Sequence, residues 1–318
     1  MKKFAIVTLP LLLAACVSDD YVTNVTSDSY QEEYKTAKVE APVVSQSEQT
    51  GVVEENVVNV KSQGVGNDLQ DEIIVSLTTF DRRINDVYLT IESLMQQSLR
   101  ADKIVLCIAD DNFNKDNIPA TLKAQVDRGL EILFCQEDLG PYTKYFYTLQ
   151  KYPDSLIITV DDDILYPVDM IDQLYRAYSA APNIIHCHRA HKIRIGSDGL
   201  PLNYKEWQRD TADSMASLSI FPTGVGGVLY FPGCFNQDVV NKEKFMSLSP
   251  SADDIWLKVM SLKQGVLCQK IPDSRGFDSR FLTIPSSQNV SLKRRNKKKG
   301  FGNSEKIRAA FKAYGLSL

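Results

Sequence analysis

The sequence predicts an α/β domain over residues 71–318, a mostly parallel sheet with helices on both faces, and three observations predict it. Short β-branched runs alternate with apolar residues at helical spacing between positions 73 and 185. The most strand-like run, 156–160, is continuously apolar, as a central strand buried on both faces must be. It runs directly into Asp161, Asp162 and Asp163, and open α/β sheets place ligands at the carboxyl ends of their strands.

Taken in order, 73–77 reads as a first strand, and Ile84, Val87, Ile91 and Leu94 mark a helix behind it. A second strand over 103–108 ends at Asp110 and Asp111. Pro119 then opens a helix to 128, and 130–134 is a third strand. A helix over 142–152 precedes the central strand. Pro167 begins another, with Met170, Ile171, Leu174 and Tyr178 inward, and Ile184 opens a further strand. Beyond His191 the alternation weakens, and 196–217 is polar and loop-like. There follow a glycine-rich turn at 224–227, a strand at 228–231, an acidic helix start at Asp253 and Asp254, a basic stretch at 293–299 and a terminal helix over 304–314.

The first 70 residues are not core material. Lys2 and Lys3, an apolar run to Leu13 and small residues before Cys16 have the layout of a secretory signal. Leu13, Ala14, Ala15 and Cys16 resemble the lipobox of bacterial lipoproteins. That resemblance implies a signal peptide over 1–15 and a lipid-carrying Cys16 that holds the chain at a membrane. Residues 17–70 contain ten acidic and three basic residues and no Phe, Trp or Ile, too little apolar surface to fold alone, so 16–70 reads as a disordered acidic linker. With a whole-chain net charge of −4, the remainder is nearly neutral. Five further cysteines show no zinc-type spacing and suit a reducing compartment, which conflicts with export.

Three adjacent aspartates repel one another, and a divalent cation is the simplest way to neutralise them. Hard oxygen ligands select Mn2+ or Mg2+, and a cation with open positions clamps a diphosphate. The competing reading is an acidic loop that caps the next helix. The glycine turn, Gly226 and Gly227 in particular, admits close approach by an acceptor, or is an ordinary tight turn. Lys144, at a turn-to-helix junction, either reaches a phosphate or is solvated. His186, His188 and His191 complete no zinc pattern. The basic tail, from about 289, lacks interleaved aromatics, so a membrane surface or solvent is expected beside it and not a nucleic acid.

The loop from Ser76 to Arg83, the Asp-x-Asp pattern at Asp161 and Asp163, the glycine turn and the segment Asp253, Asp254, Ile255, Trp256 together resemble family 2-like glycosyltransferases of the GT-A fold. The resemblance implies a nucleotide cradle at Thr78, Arg82 and Asp110. It also implies metal and ribose binding by Asp161 and Asp163, with Asp162 open because the triplet allows two registers. Asp254 becomes the general base, with Asp253 its competitor. The expected activity is metal-dependent transfer of a sugar from a nucleotide-diphosphate donor, UDP-sugar by default, to a glycan or glycolipid acceptor. Two alternatives stay open at this point: an anchored carbohydrate-binding protein that keeps the fold without turnover, and a metal-dependent hydrolase. Donor supply is cytoplasmic, whereas a lipobox exports the domain behind it.

Overall fold

The computed structural model describes residues 64–109, 113–287 and 302–318. The expected signal, Cys16, Asp110 and the basic stretch 293–299 lie outside them. Among the described residues no helix is long and apolar enough to cross a membrane.

The β-branched runs form the strands they predict: β1 (Ile73–Thr78), β2 (Lys103–Ile108), β3 (Leu130–Phe134) and β4 (Leu156–Thr159). With β6 (Ile184–Cys187), β9 (Val228–Tyr230) and β10 (Leu267–Lys270) they make a seven-stranded sheet, in the order β10-β6-β9-β4-β1-β2-β3. All pairings are parallel except those of β9, which runs antiparallel between β4 and β6. The expected mostly parallel sheet is present. The reversed strand is not legible in the sequence, because side-chain alternation carries no strand direction.

Alternation does settle the faces. Ile73, Val75 and Leu77 of β1 pack with Ile104 and Leu106 against α1 (Val87–Met95), α2 (Ala120–Val126) and α4 (Met170–Ala180). Ile74, Val105 and Ile157 face the other way, toward α3 (Thr143–Lys151). Under the β6 and β9 end of the sheet, a second core gathers α5 (Lys242–Leu248), α6 (Asp253–Lys263) and α7 (Asn303–Tyr314) around buried Trp256, Phe245 and Phe311.

Two short pairs complete the fold: β5 (Ile164–Leu165) with β11 (Leu282–Thr283), and β7 (Ala190–Lys192) with β8 (Ile220–Pro222). Helix α4 starts at Met170 and not at Pro167, whose carbonyl instead accepts from the Met170 amide at 3.1 Å, a turn that precedes the helix. Contacts with the sheet begin before residue 71: the Gly66 amide donates to Ala101 O at 2.7 Å, and Asn67 Nδ2 donates to Asp102 at 2.8 Å.

Candidate active site

The carboxyl ends of β1 and β4 open onto a cleft of about 310 Å³ lined by three groups of side chains. Thr78, Thr79 and Arg83 follow β1; Asp161, Asp162 and Asp163 follow β4; and Ser251 to Ile255 lead into α6.

The three adjacent aspartates are not equivalent. Asp162 turns inward, where Thr79 Oγ1 donates to it at 2.8 Å and the Arg83 guanidinium pairs with it. Burial pushes its pKa up to about 6 even though the Arg83 charge opposes the rise. Arg83 also pairs with Asp163 at 3.0 Å and donates from Nε to Ser287 O at 3.2 Å, so one buried cation sets the shape of the whole loop. The side chains of Asp161 and Asp163 are 35% and 17% exposed against 6% for Asp162, which makes them the open pair. The donor-binding role expected of Asp162 therefore has a side chain already committed to Arg83 and Thr79.

Arg82, the residue expected at the nucleotide, is exposed and does not line the cleft. Asp81 takes φ +52° and starts a turn of 3-10 helix over Asp81–Asn85 that sends Arg82 to solvent and Arg83 inward. Thr78 does line the cleft, and its hydroxyl donates to Cys107 O at 2.9 Å.

Lys144, in the first turn of α3, joins the two acidic walls. Its Nζ lies 2.8 Å from Asp161 and 3.3 Å from Asp253, with the side chain only 5% exposed. Burial works against the ammonium, but Asp161, Asp253 and Asp254 outweigh it and hold it charged, well above the ordinary lysine value. Asp253 and Asp254 occupy the first turn of α6, where the helix dipole favours negative charge. Burial nonetheless raises both, Asp254 further because Asp253 adjoins it, while the Gly224 amide donates to Asp254 at 3.1 Å. Asp253 is directed at Lys144, and Asp254 is the half-buried member of the pair.

The glycines divide differently from expectation. A Cβ on Gly224 would stand 3.3 Å from Asp161, Asp254 and Lys144, so the missing side chain here lets the three charged groups close in on one point of the turn. Gly226 faces Arg189 and Phe277, and Gly227, at φ +80°, faces Met170. Neither Gly226 nor Gly227, the residues expected at the acceptor, lines the cleft, and Gly224 reaches it only through the hydrogen bond from its amide to Asp254. The histidines also stand apart: His188 Nε2 is 3.2 Å from Met170 O, His186 Nε2 is 3.1 Å from Ala181 O, and His191 Nδ1 accepts from the Asp210 amide at 3.0 Å.

Including Asp138, six carboxylates line the cleft, against Arg83 and Lys144 as its described cations. That surplus of negative charge and the hard oxygens of Asp161 and Asp163 fit a divalent cation. Among the described residues no group of three or more His, Cys, Asp or Glu is arranged to hold a metal by itself. Two carboxylates with substrate oxygens completing the shell is the usual arrangement for Mg2+.

The sequence profile of glycosyl transferase family 2 matches residues 60–230. No curated protein matches the chain. Among solved structures, a mannosyltransferase from Pyrobaculum calidifontis in complex with GDP-Man and Mn2+ is similar at 13% identity, over 79% of this chain and 72% of that one, with a TM-score of 0.41. A 4-diphosphocytidyl-2C-methyl-D-erythritol synthase is similar at 11% identity, over 70% of this chain and 97% of that one, also with a TM-score of 0.41.

Proposed function

The chain belongs to glycosyl transferase family 2, and from that premise we propose that its cleft moves a sugar from a nucleotide-diphosphate donor to a hydroxyl of a glycan or glycolipid. The observation that carries the reading is the pair of acidic walls on one cleft, Asp161 with Asp163 on one side and Asp254 on the other, held in register by the buried Lys144. Transfer needs two such groups, one beside the leaving diphosphate and one beside the attacking hydroxyl.

Asp161 and Asp163 would hold a Mn2+ or Mg2+ ion, which supplies positive charge to stabilise the departing nucleoside diphosphate. Thr78 and Thr79, at the end of β1, line the same cleft and would meet the nucleotide. Asp254 acts as the base: it takes the acceptor hydroxyl's proton while the oxygen bonds to the anomeric carbon and the bond to the diphosphate breaks. Burial raises its pKa, and in its ionised form a more basic carboxylate is the stronger proton acceptor. Lys144 positions both walls, and Asp253 serves as its counter-charge.

The test is titration of the full chain with UDP-, GDP-, TDP- and ADP-sugars in the presence of Mn2+, followed by product analysis with glycan acceptors. Asp163→Ala should lose donor binding, and Asp254→Asn should keep it while losing transfer by about a hundredfold or more, the usual loss on removing a general base. Equal transfer by wild type and Asp254→Asn would sink the assignment of the base.

A further inference from the structure

One part of the cleft wall remains without a role, and it comes from two distant segments. Tyr204 belongs to the polar stretch 196–217, and Asn303 is the first residue of α7; both line the cleft, and Tyr204 is near enough to Asp254 to feel its charge. Tyr204 is locked in place. It sits in a 3-10 turn over Tyr204–Glu206 closed by a reciprocal cap between Asn203 and Glu206. Its ring packs against Trp207 at 4.7 Å, His191 at 5.5 Å and Phe221 at 6.1 Å. Its amide donates to Ser304 Oγ at 3.0 Å, and Arg308 donates to Pro201 O at 2.8 Å, so α7 clamps the segment from behind.

A rigid, half-buried aromatic thus lines the cleft, and its hydroxyl hydrogen-bonds to no described residue. Of the cleft's carboxylates, Asp254 is the one whose charge, after burial, pushes the Tyr204 hydroxyl upward. Lys144, the lysine described in the cleft, is already engaged by Asp161 and Asp253. The Arg189 and Arg209 charges oppose the rise at Tyr204, with Arg189 paired to Asp210, so charge of both signs surrounds Tyr204 and this wall suits an uncharged ligand with an apolar face and a hydroxylated rim. A pyranose ring has that shape, and an aromatic side chain with one polar end is the surface that receives it.

Resting on the transferase reading above, we propose that Tyr204 is the platform on which an uncharged acceptor pyranose lies, with the Asn303 amide beside it, so that one sugar hydroxyl is presented to Asp254. Tyr204 and Asn303 then determine which acceptor is used, whereas the residues after β1 and β4 determine the donor.

The test is saturation-transfer NMR on the full chain with Mn2+ and the nucleotide that binds it best among UDP, GDP, TDP and ADP. The probes are the methyl pyranosides of glucose, galactose, mannose and N-acetylglucosamine, and of glucuronic acid as the charged comparison. At least one neutral pyranoside should receive saturation, strongest at protons of one ring face, and the glucuronide should receive less. Tyr204→Ala should weaken that pyranoside about tenfold, the scale of an aromatic contact. Tyr204→Phe should keep affinity within about twofold, and Asn303→Ala should weaken binding without removing the one-face pattern. Nucleotide affinity within about twofold of wild type in every variant shows that the cleft is folded. The platform is overturned if a pyranoside binds wild type and Tyr204→Ala equally, or if none binds while the nucleotide does. If neither nucleotide nor pyranoside binds wild type, the transferase reading itself has failed.

Discussion

Replacing Arg83 by Met, and separately Arg82 by Met, separates the arginine that shapes the cleft from the one beside it in sequence. Arg83 and Asp162 are 7% and 6% exposed, so solvent does little to replace the lost partner. Breaking a buried pair from one side costs about 3–5 kcal/mol. Asp162 already has its pKa raised to about 6, so without Arg83 it takes up a proton at neutral pH and limits the loss. The lower figure of about 3 kcal/mol therefore applies, roughly 6–12 °C in Tm for a domain of this size. Arg82 is exposed, and its loss should cost no more than about 0.5 kcal/mol, 1 or 2 °C. Asp163, which also pairs with Arg83, would be released in Arg83→Met, so Mn2+-dependent nucleotide affinity should fall with Tm. Differential scanning fluorimetry at pH 7.5 and a nucleotide titration read both quantities. Equal Tm loss in the two variants, or an unchanged nucleotide affinity in a folded Arg83→Met, would refute the reasoning.

Other expectations come from the same geometry. Burial lowers His188 and His191 to about 4. A depressed histidine contributes stability that is intact above its unfolded value near 6.5 and is lost as pH falls toward 4. Each should cost roughly 2 kcal/mol between pH 7.5 and 5, and His188→Gln should remove about half of that acid-side loss in a Tm series. Gly224→Ala, whose Cβ would meet Asp161, Asp254 and Lys144 at 3.3 Å, should lower kcat with little change in Tm. Gly227→Ala, at φ +80° and 3.1 Å from Met170 Sδ, should instead lose about 1–2 kcal/mol of stability. If the lipobox-like start is used, Cys16→Ser should move the chain from the membrane fraction to the soluble one on fractionation; an unchanged distribution removes the anchor.

The strands and the aspartate cluster were legible because their signals are local. A β-branched run followed by acids gives a strand and its carboxyl end without knowledge of the rest of the chain. Arg82 and Arg83 could not be told apart that way, since only the left-handed backbone at Asp81 decides which of them turns inward. Buried Ile84 was the available hint, because its immediate neighbour in the turn shares the protein side. The glycine turn was legible as a turn, but which glycine faces the carboxylates depends on α3 and α6 packing from far away in sequence. Tyr204 gave no signal: residues 196–217 have no period, and their order comes from α7, whose Ser304 is a hundred residues on.

This dependence on distant segments also explains how Asp253 and Asp254, adjacent in sequence, take different positions. Successive residues on a helix point about a quarter-turn apart, so the burial of Trp256 and Ile255 fixes where the pair points. Trp256 is held by Nε1 donating to Val239 O at 2.9 Å and by the Tyr314 ring at 5.9 Å. With that rotation set, Asp253 meets Lys144 and Asp254 meets the Gly224 amide at the cleft. The candidate base is therefore positioned by apolar packing between α6 and α7 more than by any polar partner of its own. The same helix that clamps Tyr204 holds Asp254 through α6, which makes the acceptor wall and the base one mechanical unit.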